Sequence, residues 1–205
     1  SGLTAAPELP ALTLAEYCYE MMFDSCTGLT TAPELPATTL APDCYYGMFS
    51  YCTGLTAAPE LPALTLAPEC YRYMFSWCTG LTVAPKLPAT TLIYRCYDSM
   101  FRGCSGLTVA PELPATTLAK YCYNYMFEGC TSLTTAPDLN AEKLVDRCYI
   151  GMFRRCSSLN SVTMTATDIS AAYCLYEWLD GVSKTGKFKK NASTDIPSGI
   201  SGIPE

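Results

Sequence analysis

The chain carries, in its second repeat, the stretch Cys44-Tyr45-Tyr46-Gly47-Met48-Phe49-Ser50-Tyr51-Cys52, a block of the form C-Y-x-x-M-F-x-x-C. The block recurs every 26 residues, at 18–26, 70–78, 96–104, 122–130 and 148–156. On a helix, at about 100° per residue, its Cys, Tyr, Met and Phe positions form one apolar face. The sequence therefore predicts a short amphipathic helix in each repeat, with the positions of residues 42, 43, 46, 47, 50 and 51 on the opposite side.

Seven 26-residue units fit the sequence over residues 1–182. The first half of each unit reads like residues 27–40, in which Leu29 begins a short β-branched segment that Pro33 ends. Such a segment predicts a strand of about three or four residues, because proline cannot donate to a continuing ladder. The alternation predicts an α/β repeat solenoid, a right-handed leucine-rich-repeat superhelix with short parallel strands on the concave side and short helices on the convex side.

The repeat pattern changes in the last unit, where Trp178 replaces Met and Val182 replaces the last Cys. Residues 183–205 are predicted to form a C-terminal capping segment with a β-hairpin that turns near Thr185-Gly186. Four lysines between 184 and 190 give this end a charged surface that opposes further stacking, and a basic docking patch is the alternative. Residues 1–4 match residues 105–108, so we expect the chain to be part of a longer protein.

Composition excludes several classes of function. The 205 residues carry a net charge of −6 with 13 Lys and Arg, which argues against a nucleic-acid or anionic-membrane binder. No apolar run approaches the roughly 18 residues of a membrane span. The chain has no histidine for acid–base catalysis, and no phosphate-binding loop is recognisable, so we expect no enzyme activity and no cofactor.

Thirteen cysteines require an interpretation, and twelve of them form six pairs spaced by eight residues. On a helix, eight residues span about 12 Å, beyond the roughly 4.4–6.8 Å Cα separation of a disulfide. The spacing is not that of a zinc site. We predict buried free thiols that pack as small hydrophobes, with disulfides between repeats and metal binding as alternatives.

The repeated string MF-x-x-C-[TS]-[GS]-LT-x-AP-x-LPA-[TL]-T-L-x-x-x-CY resembles the leucine-rich repeats of BspA-like bacterial surface proteins. The resemblance covers nearly the whole chain. It implies a cell-surface or secreted location and an adhesive role with host or extracellular-matrix proteins as partners. It implies no catalytic residues.

Aromatic residues are predicted on the outward side of the repeats: Tyr17, Tyr46, Tyr51, Tyr73, Trp77, Tyr94, Tyr121 and Tyr125. Aromatic side chains are enriched in protein-binding surfaces. The densest group, Tyr46, Tyr51, Tyr73 and Trp77, is the candidate protein-binding patch. The alternative is that these rings only shield the gaps between adjacent repeats.

One row of residues also lies in register: Glu8, Glu34, Glu60, Lys86, Glu112 and Asp138. Neighbouring carboxylates about 5 Å apart would match the separation in retaining glycosidases, but a periodic row lacks a unique constellation. A solvated ladder is the simpler interpretation, and calcium would need further ligands. The sequence therefore favours a non-enzymatic adhesion or interaction module, with a spacer or scaffold as the alternative and a carbohydrate-active solenoid as the third hypothesis.

Overall fold

A computed structural model describes residues 2–200 and 202, and it shows the repeats stacked as successive rungs. We number the rungs 1 to 7 from residues 1–26 to residues 157–182. Each rung donates backbone hydrogen bonds to carbonyls about one repeat further along the chain, as from Tyr45 N to Cys70 O at 3.1 Å and from Gly47 N to Arg72 O at 2.8 Å. Residue 1 and residues 201 and 203–205 of the predicted cap lie outside the described residues.

The predicted helices are wrong, because no α-helix occurs in the described part of the chain. The C-Y-x-x-M-F-x-x-C block is a run of turns in which the backbone φ becomes positive at every fourth residue, at 53° in Asp43, 57° in Gly47 and 58° in Tyr51. An α-helix requires negative φ throughout. The predicted α/β leucine-rich-repeat architecture, with helices on a convex side, is therefore corrected to a stack of turn-built rungs. Residues 2–200 and 202 accordingly include no helix that could cross a membrane.

Hydrogen bonds in the block alternate between local and inter-rung partners. Even-numbered residues donate three residues back, as from Met48 N to Tyr45 O at 3.2 Å. Odd-numbered residues donate to the next rung, as from Phe49 N to Met74 O at 2.9 Å. Half of the backbone donors of the block therefore depend on the neighbouring rung, and an isolated rung would leave them to water.

The predicted apolar ridge is nevertheless buried. Cys44, Tyr45, Met48, Phe49 and Cys52 are each at most 1% exposed. In a turn pattern with a period of four residues, every fourth side chain points to the same side. In a helix, side chains four residues apart differ in direction by only about 40°. Over a nine-residue block the two conformations bury the same positions, so burial alone could not distinguish them.

Only two strands occur in the described residues, β1 (Ser161–Met164) and β2 (Lys187–Lys190). They pair in parallel with Ser161 opposite Lys187, one repeat apart. The hairpin predicted around Thr185-Gly186 is therefore replaced by the start of a further layer that pairs with rung 7. In rungs 2 to 6 the predicted strands are reduced to isolated parallel bridges, such as that of Thr31 with Ala57.

Two columns of stacked aromatic rings run through the core. Phenylalanine rings of adjacent rungs have centroids 5.5–5.8 Å apart, from Phe23 to Phe153. Tyrosine rings form a parallel column at 5.7–5.9 Å, from Tyr19 to Tyr149. Offset stacking at these distances is favourable for aromatic pairs, so each rung is stabilised chiefly by its two neighbours.

All thirteen cysteines are free, and twelve are buried, with Cys18 as the exposed exception. The prediction of buried free thiols is confirmed. The last cysteine of each block in rungs 2 to 6 also donates to the preceding rung, as from Cys52 Sγ to Phe23 O and from Cys104 Sγ to Phe75 O, both at 3.0 Å. Burial raises the pKa of these two thiols to about 12.

Candidate functional site

The variable residues of the turn block lie on one side of the stack, which we call the outer face. It consists of the positions equivalent to 42, 43, 46, 47, 50 and 51 in each rung. The turns direct these positions away from the buried ridge in pairs, but neighbouring rungs bury several of them, among them Ser50, Asp98 and Glu128. The candidate patch of Tyr46, Tyr51, Tyr73 and Trp77 lies on this face, in rungs 2 and 3.

Tyr51 and Trp77 form an exposed aromatic pair. Their ring centroids are 6.1 Å apart and their planes differ by 3°. The two residues are 49% and 42% exposed. Trp77 also lies directly over Gly103 of the next rung, where an added Cβ would approach Trp77 Cδ2 to 2.5 Å. Stacking on both sides therefore holds the indole in one orientation while its edge remains accessible.

Tyr46 and Tyr73 are more enclosed than the exposed pair. Their rings meet edge to face at 5.7 Å. The Arg72 guanidinium lies 5.5 Å from the Tyr46 centroid and 4.9 Å from that of Tyr73. Arg72 is itself bonded to Glu69 at 2.7 Å. The predicted patch is thus divided into an exposed pair and a pair whose rings already pack against an arginine.

Arginine side chains also contact other aromatic residues of the outer face. Arg95 lies 5.3 Å from the Tyr94 ring and 4.6 Å from the Tyr121 ring. Arg147 contacts Tyr121 and Tyr173 in the same way, at 5.6 and 4.8 Å. Such cation–π contacts stabilise neighbouring rungs against each other. The alternative interpretation, that aromatics fill the gaps between rungs, therefore fits the half-buried Tyr121, whereas Tyr94 and Tyr173 remain 38% and 56% exposed.

Two buried carboxylates were missed by the sequence analysis. Asp98 is 1% exposed and accepts hydrogen bonds from Ser99 at 2.9 Å and Asn124 at 3.2 Å, with Arg72 at 3.4 Å. Burial raises the pKa of Asp98, although Arg72 opposes the shift. Hydrogen-bonded carboxylates of this kind help to set which rung follows which, because a neighbour without matching donors would leave them unpaired.

The second missed carboxylate, Glu128, lies between Arg102 at 2.7 Å and Arg154 at 3.4 Å. Arg154 in turn contacts Asp180 at 3.3 Å. These four residues are spaced by 26 and alternate in charge, and that alternation was the available signal in the sequence. The ladder orders the rungs.

The row from Glu8 to Asp138 is exposed along its whole length. Its members line shallow grooves between rungs, as Glu34 and Glu60 do with Pro33, Pro36 and Pro59. The same groove recurs from rung to rung, so no carboxylate pair is distinguished from the others. Within residues 2–200 and 202, no group of three or more His, Cys, Asp or Glu side chains is placed to hold a metal ion.

The position of Trp77 leads to a testable prediction about Gly103. Gly103 and Gly129 occupy the same place in successive rungs, with φ of +74° and +76°. At Gly129 an added Cβ would only reach Gly103 Cα at 3.7 Å, an ordinary contact. Gly129→Ala should therefore cost about 1–2 kcal/mol of unfolding free energy through φ alone, whereas Gly103→Ala should cost more and displace the indole.

Urea unfolding measures the two costs, and near-UV circular dichroism reports the environment of Trp77. Equal costs with unchanged spectra in both variants would contradict the described packing of Trp77 on Gly103.

Comparisons of this chain with protein-family models, curated proteins and solved structures gave no match.

Proposed function

We propose that this chain is a non-enzymatic interaction module that binds a protein ligand through the outer face of its stacked rungs. The observation that carries the proposal is the Tyr51–Trp77 pair, an exposed stack of two parallel rings; the other outer-face aromatics mostly pack against arginines, and Tyr17 and Tyr173 are single rings of similar exposure. Tyr and Trp are the residues most often found at the energetic centre of protein interfaces.

The pair is also preorganised. Trp77 is held between the Tyr51 ring and the backbone of Gly103. Beside it, Arg72 fixes Tyr46 and Tyr73 through its contacts with Glu69 and Asp98. A surface that is already ordered loses little side-chain entropy on binding, which favours affinity.

The partner class and the location are part of the same proposal. The resemblance of the repeated string to BspA-like proteins supports a cell-surface or secreted module whose ligand is a host or extracellular-matrix protein. The acidic net charge of −6 favours a protein ligand over nucleic acid. Neither catalysis nor a cofactor enters this proposal.

A spacer or scaffold role without a ligand is the second candidate. It is favoured by the arginine contacts of Tyr121 and Tyr173, which join adjacent rungs and so give these aromatics a structural role. A spacer would tolerate loss of the exposed pair without any change in binding, so the same experiment separates the two candidates.

The test is Trp77→Gly, assayed for saturable binding to an array of purified extracellular-matrix and host surface proteins. Trp77 has φ of 61°, and Gly103, Gly129 and Gly181 occupy the same place in other rungs, so glycine should fit without loss of fold. We expect binding to weaken by at least about 30-fold, the effect of removing a hot-spot residue worth about 2 kcal/mol.

Arg155→Gly is the matched control, because Arg155 has the same place in rung 6 and φ of 59°. This variant should bind as the wild type does. No saturable ligand for the wild type would favour the spacer, whereas saturable binding that is equal in the wild type and both variants would exclude the Tyr51–Trp77 pair as the binding surface.

A further inference from the structure

The layer that follows rung 7 lacks a leucine that every rung carries. Residues 183–190 form this layer, and its strand β2 pairs with β1 so that Lys187 lies opposite Ser161. The same register places Thr185 one repeat after Leu159, the last member of a column of leucines. In rungs 2 to 7 that leucine is at most 1% exposed, whereas Thr185 is exposed. The leucine column therefore ends at Leu159.

The backbone of the layer also differs from that of the rungs at this point. In the inner rungs the leucine amide donates to the carbonyl of the cysteine three residues earlier, as from Leu55 N to Cys52 O at 3.1 Å. Thr185 N donates instead to Ser183 Oγ at 3.4 Å, and Ser183 Oγ donates to Thr185 O at 3.0 Å. These local bonds stabilise a bend that turns Thr185 outward and leaves space beside the leucine column.

A cavity of about 170 Å³ lies between rung 7 and this bend, and we call it the cap cleft. Its walls are mainly apolar and include Leu159, Val162, Leu179, Val182 and Phe188. An apolar cavity of about 150 Å³ binds benzene. The cap cleft therefore has room for one isobutyl or phenyl group, which is the size of the side chain that the layer lacks.

The polar part of the cap cleft is positively charged. Lys184 and Lys187 line it, and its lining includes no Asp or Glu. Neither lysine forms a salt bridge with a described residue. Asn160 adds an amide N–H donor to the same lining. Two ammonium groups and an amide beside an apolar cleft favour a ligand that joins a carboxylate to a small apolar group.

The charge of the wider segment supports the same kind of ligand. Residues 183–194 contain four Lys and no Asp or Glu, in a chain whose net charge is −6. All four lysines are exposed, so they attract anions to this end of the stack.

We propose that the cap cleft binds a small monocarboxylate that carries one branched alkyl or phenyl group. The apolar group packs against Leu159, in the place of the missing leucine side chain, and the carboxylate accepts hydrogen bonds from Lys184 and Lys187. A free carboxylic acid and the C-terminal leucine of a peptide share this chemistry. The site lies outside rungs 2 and 3, so it does not depend on the function proposed for the Tyr51–Trp77 pair.

Isocaproate is the probe, because it joins an isobutyl group through one methylene to a carboxylate. It is titrated into the full chain, and the methyl groups of labelled Leu and Val residues are followed by NMR. We expect saturable shifts at Leu159, Val162 and Val182, with a dissociation constant of about 1 mM for a ligand of this size. The methyl groups of Leu55, in the same leucine column, should not shift.

Two comparisons test the role of charge. Isocaproamide has the same shape without the charge and should bind about fivefold more weakly than isocaproate. The double variant Lys184→Gln/Lys187→Gln should lose the same factor for isocaproate and bind isocaproamide as the wild type does. Lys189→Gln is the matched control, because Lys189 belongs to the same strand but does not line the cleft, and it should bind as the wild type does.

The peptide N-acetylglycyl-leucine distinguishes the two sources of the ligand. If it binds as isocaproate does, the source includes the C-terminus of a protein chain. If only isocaproate binds, the ligand is a free acid, and both results support the site. No saturation by isocaproate below about 10 mM would overturn the proposal. Equal affinity for isocaproamide, or unchanged affinity in the double lysine variant, would overturn it as well.

Discussion

Raising the pH to about 10 is expected to unfold this protein in one steep transition. Burial raises the pKa of most of its thiols and of the core tyrosines, so the folded state keeps protons that the unfolded chain loses. The thiols concerned are Cys44, Cys52, Cys70, Cys78, Cys96, Cys104, Cys122, Cys130, Cys148, Cys156 and Cys174. The tyrosines are Tyr45, Tyr71, Tyr97, Tyr123 and Tyr149.

The sign of the effect follows from proton linkage. In the unfolded chain the pKa is about 8.5 for a thiol and about 10 for a phenol. Above those values the unfolded state binds fewer protons than the folded state. The free energy of unfolding is therefore highest at lower pH and falls as the pH rises. Each group lowers the free energy of unfolding by up to about 1.4 kcal/mol per pH unit in the pH range where it is ionised in the unfolded chain but not in the folded one. Because so many thiols act together, a typical stability of about 5–15 kcal/mol should be lost between about pH 9 and 10.

Urea unfolding at pH 7, 8 and 9 with a phosphine reductant measures this dependence. We expect the free energy of unfolding to fall by several kcal/mol over that range. The control is Cys52→Ser, whose hydroxyl does not titrate there, so its slope should be shallower by up to about 1.4 kcal/mol per pH unit. A stability that does not change up to pH 10 would contradict the burial of these thiols.

The second large effect is expected at the centre of the phenylalanine column. Phe101 is fully buried between Phe75 at 5.8 Å and Phe127 at 5.7 Å. Phe101→Ala should lower the free energy of unfolding by about 3–5 kcal/mol, because it leaves a cavity and removes two stacking contacts at once.

Phe23→Ala is the matched control at the end of the column. Phe23 is 2% exposed but stacks on a single described ring, that of Phe49 at 5.5 Å. Since rung 1 stacks on one described rung, its local opening in this chain is cheaper and the loss should be smaller. Urea unfolding of both variants gives the comparison, and equal losses would show that the rungs do not form one continuous stack.

Much of the buried interior could be predicted from the sequence. The 26-residue register, the ridge that includes Tyr45 and Phe49, and the free buried thiols all follow from the spacing of apolar residues. The outward position of Tyr51 and Trp77 follows in the same way. These predictions succeed because burial of apolar area depends mainly on which side chains share one side of the chain.

The conformation of the backbone was decided only by the tertiary structure. Cys44, Met48 and Cys52 are spaced by four residues, a period that a helix and a run of turns both satisfy over so short a block. The glycines at 47, 103, 129, 151 and 181 all have positive φ, but Tyr, Asp, Glu, Arg, Ser, Met or Trp occupies most of the equivalent positions, which weakened that signal.

What the sequence by itself determined is therefore the register of the repeats and which residues of each are buried. What only the tertiary structure decided is where the backbone hydrogen bonds go and which outer aromatics remain accessible. The N–H of Tyr45 finds its acceptor in Cys70 of the next rung, and Arg72 packs against Tyr46 while Trp77 stays exposed. Both outcomes depend on contacts between residues a full repeat apart, and local periodicity carries no information about such contacts.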